Sequence, residues 1–68
     1  MKLYFSHSNG ELEYICDIEN IDSCVAEALK DLEKRAPHFT SYYQRIWRDK
    51  DKRLWIDVGS WTEFYVCF

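Results

Sequence analysis

The sequence predicts an α+β fold, a single small domain in ββαβββ order whose antiparallel sheet has the strand order 2-1-5-4-3 and carries one amphipathic helix on one face. Three observations lead there. Two alternating segments flank an Asn-Gly pair near the start, one central stretch spaces its apolar residues as a helix does, and alternation returns after Pro37. With 68 residues, the chain buries only about 60% of the surface that its unfolded form exposes. Its composition answers with 47% hydrophobic and 18% aromatic residues, enough to build a small core from a few large rings.

The first element is a hairpin over residues 2–18. Asn9-Gly10 suits a two-residue type I′ turn, which needs positive φ at both central positions. That register sets Phe5 opposite Tyr14, Leu3 opposite Cys16 and His7 opposite Leu12 on an apolar face. Lys2 then meets Asp17, and Ser6 meets Glu13, on the polar one.

The second element is a helix over residues 21–36. Ile21, Cys24, Val25, Ala28, Leu29, Leu32 and Ala36 recur at helical spacing and leave one stripe to bury. Asn20 or Asp22 supplies the N-terminal cap, Asp31 and Arg35 are spaced for an i, i+4 pair, and Pro37 disfavours helical geometry at the residue before it.

Residues 40–68 read as a three-stranded meander, with strands at 40–48, 53–58 and 62–68. The charged run Asp49-Lys50-Asp51-Lys52 forms one turn and Gly59-Ser60-Trp61 the other. A three-residue second loop pairs Ile56 with Phe64 and Leu54 with Val66 in the core, and Trp55 with Tyr65 outside. It also sets Asp57 against Glu63, a single like-charge contact that burying four apolar side chains at about 1.5–3 kcal/mol each outweighs.

One helix covers one face of such a sheet, so the other is expected to be open. The pattern assigns Tyr4 and Ile15 to it from the hairpin, and Tyr43, Trp47, Trp55 and Tyr65 from the meander. Large rings with polar tips are frequent binding anchors, and Tyr4, Tyr43, Trp47, Trp55 and Tyr65 are the candidate aromatic contacts.

Charge divides unevenly along the chain. Residues 1–33 hold two lysines against eight acids, a balance of −6, and residues 34–68 hold seven basic residues against four acids, a balance of +3. The acidic half nominates Glu11, Glu13, Asp17, Glu19, Asp22, Glu27 and Asp31 for contact with a basic partner. The basic run Arg45, Arg48, Lys50, Lys52 and Arg53 around Trp47 nominates a different ligand, a single-stranded nucleic acid stacked on the aromatic face.

Chemistry-bearing motifs are scarce. Two glycines leave no phosphate-cradling loop, and the Ser6-His7-Ser8 run lacks an orienting carboxylate. Cys16, Cys24 and Cys67 with His7 and His38 lack the close spacing of metal ligands, and no cofactor is implied. Three cysteines cannot all pair within one chain, and no apolar run suits a signal peptide or a bilayer span. The expected setting is therefore a reducing, cytoplasmic one without membrane contact.

The expected function is that of a noncatalytic protein-binding module, an inhibitor or regulator docking on a larger protein. In its sharper form the carboxylates imitate nucleic-acid phosphates on a basic nucleic-acid-binding enzyme, as an anti-defence protein of a phage or mobile element would. The alternatives are a single-stranded nucleic-acid binder and a homodimer formed through exposed rings or an edge strand.

Overall fold

The computed structural model describes residues 1–39, 44–60 and 62–68. Strand β1 (Lys2–Ser6) pairs with β2 (Leu12–Asp17), a 3-10 turn (Ile21–Ser23) leads into helix α1 (Cys24–Arg35), and β3 (Arg45–Arg48), β4 (Leu54–Asp57) and β5 (Phe64–Cys67) complete the sheet. Every pairing is antiparallel and the order is β2-β1-β5-β4-β3, as the sequence predicts. The last strand therefore lies at the centre, between the first and the fourth. Residues 40–43, expected to begin β3, lie outside the described residues, as does Trp61. Among the described residues no helix is long and apolar enough to cross a membrane.

The helix expected over 21–36 opens with the 3-10 turn, which Asn20 caps by accepting from the Asp22 backbone N–H through Oδ1 at 3.0 Å, while Ser23 Oγ donates to the Asn20 carbonyl at 2.7 Å. The Asn20 side-chain bond satisfies one backbone N–H at the start of the turn, and Ser23, without a side-chain cap bond of its own, leads into α1. The stripe closes one face of the sheet, where Leu3, Phe5, Ile18, Cys24, Ala28, Leu54, Ile56, Val58, Tyr65 and Cys67 form the core. Ile15, Cys16, Ile21, Val25, Leu29 and Leu32 pack against its rim.

Both tight hairpins are built alike, and neither uses a type I′ turn. In the first, Gly10 N–H donates to the His7 carbonyl and His7 N–H to the Glu11 carbonyl, at 2.9 and 2.8 Å. This is a three-residue loop in which only Gly10, at φ +91°, takes the left-handed conformation. Asn9 instead accepts from the Glu11 N–H through its side chain at 2.9 Å. At the second turn Lys52 N–H donates to the Asp49 carbonyl and Asp49 N–H to that of Arg53, with Lys52 at φ 65° in the role of Gly10.

The longer first loop corrects the predicted register. Lys2–Asp17 and Leu3–Cys16 pair as expected, but the chain then bulges at Ile15, and Tyr4 faces Tyr14, Phe5 faces Glu13 and Ser6 faces Leu12. Tyr14, expected in the core, is 51% exposed. Ile15, expected on the open face, packs against the core beside Cys16.

A second one-residue correction falls between β4 and β5. Trp55 pairs with Val66, Ile56 with Tyr65 and Leu54 with Cys67, so each side chain of β5 lies on the face opposite to the expected one. The physical reason is Asp57. Its carboxylate is buried, accepts from Gly59 N–H at 2.9 Å and binds Arg45 at 3.0 Å, which lengthens the loop and spares it the contact with Glu63. Tyr65 is consequently a core residue with no exposed surface, and its hydroxyl donates to Asp31 Oδ2 at 2.7 Å.

Candidate protein-binding face

Directly paired residues of neighbouring antiparallel strands share a face. The registers therefore place Tyr14, Tyr4, Val66, Trp55 and Trp47 in one row across all five strands, on the side away from α1. At the usual strand spacing the row spans about 19 Å. Val66 is 1% exposed yet belongs to no part of the helix-side core, so the rings around it close over it.

Two ring clusters flank this centre. Trp47 and Trp55 stack at 6.3 Å with an interplanar angle of 12°, and Phe64 meets them edge-on at 6.0 and 6.2 Å. Tyr4 stacks on Phe68 at 5.0 Å and meets Tyr14 edge-on at 6.3 Å. Trp47 and Phe68 are 39% and 46% exposed, and the Leu12 side chain is also open. Beside the edge strand a depression of about 410 Å³ is lined, among the described residues, by Arg45, Ile46 and Trp47.

Two of the rings are held by hydrogen bonds. Trp55 Nε1–H donates to Asp49 Oδ2 at 2.8 Å, and the same carboxylate group accepts from the backbone N–H of Asp51 and Arg53 and from Arg53 Nε. These bonds, led by that of Trp55, hold the Asp49 carboxyl down at about 2. Tyr14 O–H donates to Asp17 at 2.9 Å, which raises the pKa of the phenol.

Cations lie close to the rings, and carboxylates balance them. The Arg53 guanidinium is 6.0 Å from the Trp55 centroid and 5.8 Å from that of Phe68, Arg45 is 5.8 Å from Trp47, and Lys2 Nζ is 5.9 Å from Tyr14. Arg45 is paired with Asp57, and Arg53 with Asp49 and Asp51. Arg48 donates to the Lys52 carbonyl at 3.0 Å, and Lys50 and Lys52 are exposed at the turn. The basic run is thus interleaved with acids and forms no uninterrupted cationic track.

The acidic candidates separate into two groups. Glu13 lies on the helix side, where Arg35 grips it at 2.9 and 3.2 Å and His7 Nε2 lies 2.9 Å away. The Arg35 bonds, then that of His7, hold its carboxyl near 2. Asp31 binds Arg35 and Tyr65, and Glu27 binds Lys30. Glu11, Asp17, Glu19 and Asp22 are exposed.

Of the aromatic candidates, Tyr4, Trp47 and Trp55 meet on the open face, Tyr65 lies beneath the helix, and Tyr43 is outside the described residues. Tyr14, Phe64 and Phe68 belong to the face and were missed. A three-residue first loop, equally compatible with Asn9-Gly10, would have placed Tyr14 there.

No protein-family model, curated protein or solved structure matches the chain.

Proposed function

We propose that this chain is a noncatalytic protein-binding module of the cytoplasm, an inhibitor or regulator that docks its open aromatic face on a larger protein. The observation that carries the reading is the in-register row Tyr14–Tyr4–Val66–Trp55–Trp47. It supplies a wide apolar surface in which Trp55 and Tyr14 are pinned by hydrogen bonds, so those two lose little side-chain freedom on contact. The partner that suits it is a folded protein with a weakly charged apolar surface. Arg45 and Arg53 are already neutralised by Asp57, Asp49 and Asp51, which speaks against a phosphate backbone as the ligand. Three free thiols suit a reducing compartment.

The phosphate-mimicking form of the proposal rests on Glu11, Asp17, Glu19 and Asp22 alone, because Glu13, Glu27 and Asp31 are already ion-paired.

The test is affinity capture from host extract with the wild type and with the Tyr14→Ala/Trp47→Ala double variant, followed by titration of the purified protein retained. A partner that binds the wild type directly and at least tenfold more weakly after the double substitution supports the reading. Equal affinity for both proteins, or salt-sensitive binding of a single-stranded oligonucleotide by the wild type in place of any protein, contradicts it.

A further inference from the structure

The helix and the central strand meet through two thiols. Cys24, the first residue of α1, and Cys67, the last of β5, are both fully buried, and their Sγ atoms lie 3.0 Å apart although the residues are 43 positions apart in the chain. Closing a disulfide from this arrangement shortens the sulfur separation by only about 1 Å. The third thiol, Cys16, lies in the same row, opposite Leu3, which in turn faces Cys67. Cys16 is half-buried in a groove of about 180 Å³ beside Glu27, Lys30, Asp31 and Lys34.

We propose that Cys24 and Cys67 are a modification site, a thiol pair that a peroxide converts into an internal disulfide joining the start of the helix to the central strand. One thiol gives up its proton, its thiolate attacks a peroxide oxygen, the O–O bond breaks, and a sulfenic acid forms as the departing hydroxide takes up that proton and leaves as water. The second thiol then attacks that sulfur, the S–O bond breaks, and a second water leaves with the thiol proton. Two thiols are oxidised by two electrons in total, and one hydrogen peroxide is reduced to two waters.

The surroundings make the pair slow rather than inert. Burial, followed by the hydrogen bond shared with Cys24, which favours the protonated form, pushes the Cys67 thiol up to about 12, so little thiolate is present near neutrality. The pair therefore stays reduced until peroxide is abundant. Once formed, the link closes a long loop and restricts the unfolded chain. It also anchors β5, whose other face carries Phe64 and Val66 in the aromatic surface.

The experiment uses full-length Cys16→Ser protein, treated at low concentration with excess hydrogen peroxide and followed by intact mass, peptide mapping and thermal melting. The expected result is a monomer lighter by two hydrogens, with a Cys24–Cys67 cross-linked peptide and a melting midpoint raised by about 10 °C or more, reversed by dithiothreitol. Oxygen added at either cysteine without a link, intermolecular dimers, or two unreacted thiols would overturn the proposal. If Cys16→Ser does not fold, mapping of peroxide-treated wild type decides: a Cys24–Cys67 link with Cys16 outside it supports the site, and any other pairing refutes it.

Discussion

The Tyr65 hydroxyl donates to Asp31 Oδ2 at 2.7 Å, tying the central strand to the helix that covers it. Asp31 also accepts from Arg35 at 2.9 Å, and Arg35 in turn holds Glu13 on β2. One chain of bonds thus links the sheet centre, the helix and the sheet edge. The Arg35 guanidinium lies 4.0 Å from the Phe5 ring centroid, so the network seals one side of the core.

Tyr65→Ala should cost about 3–5 kcal/mol, as loss of a buried ring does, and Tyr65→Phe about 1–2 kcal/mol for the bond to Asp31. Chemical denaturation of both variants checks this. A Tyr65→Ala protein as stable as the wild type would place the ring outside the core.

Acid should weaken the fold over a defined window. Glu13 and Asp49 both sit near 2, below ordinary values of 4.5 and 3.8, because each carboxylate is favoured by native hydrogen bonds. A depressed folded-state pKa contributes stability above the ordinary carboxylate range, and that contribution is lost as pH falls from about 4.5 toward 2. Urea midpoints measured across this window should fall for the wild type and fall less steeply for Glu13→Gln and Asp49→Asn. Because Glu13 is about half exposed, added salt should soften its share. Parallel profiles for all three proteins would contradict the assignment.

The two matched turns make opposite predictions. A Cβ at Gly10 meets nothing within 4 Å, so Gly10→Ala is penalised only by its positive φ, at about 1–2 kcal/mol. Lys52 already bears that strain, and Lys52→Gly should gain up to about 1 kcal/mol while keeping the carbonyl that accepts from Arg48. Thermal melting of the two variants should move in opposite directions.

The open face should tolerate truncation. Tyr14 and Trp47 lie on the edge strands with much of their surface in solvent, so Tyr14→Ala/Trp47→Ala should keep the wild-type far-UV spectrum and a cooperative melt. Loss of cooperative melting would make these rings part of the core rather than a surface for a partner.

Strand order and the helix were legible in the sequence because each rests on periodicity sustained over many residues, as in the stripe from Ile21 to Leu32. Register was less legible, because it rests on single residues in loops. Gly10 alone takes the left-handed position that the first turn needs, and Asp57 is buried where it binds Gly59 and Arg45. Each loop is one residue longer than the alternation suggested. The two errors exchanged a pair of tyrosines, bringing Tyr14 out to the open face and Tyr65 into the core. The candidate site was half visible for the same reason, with Tyr4, Trp47 and Trp55 assigned by alternation and Phe64 and Phe68 hidden by the β5 shift.

The most direct test is the set of proton–proton Overhauser contacts made by Val66 and Tyr65 in solution. The account predicts contacts from the Val66 methyls to the rings of both Tyr4 and Trp55, and from the Tyr65 ring to Phe5 beneath the helix. Contacts joining the Tyr65 ring to Trp55, with the Val66 methyls facing Leu54, would contradict it and remove the aromatic row on which the proposed binding face depends.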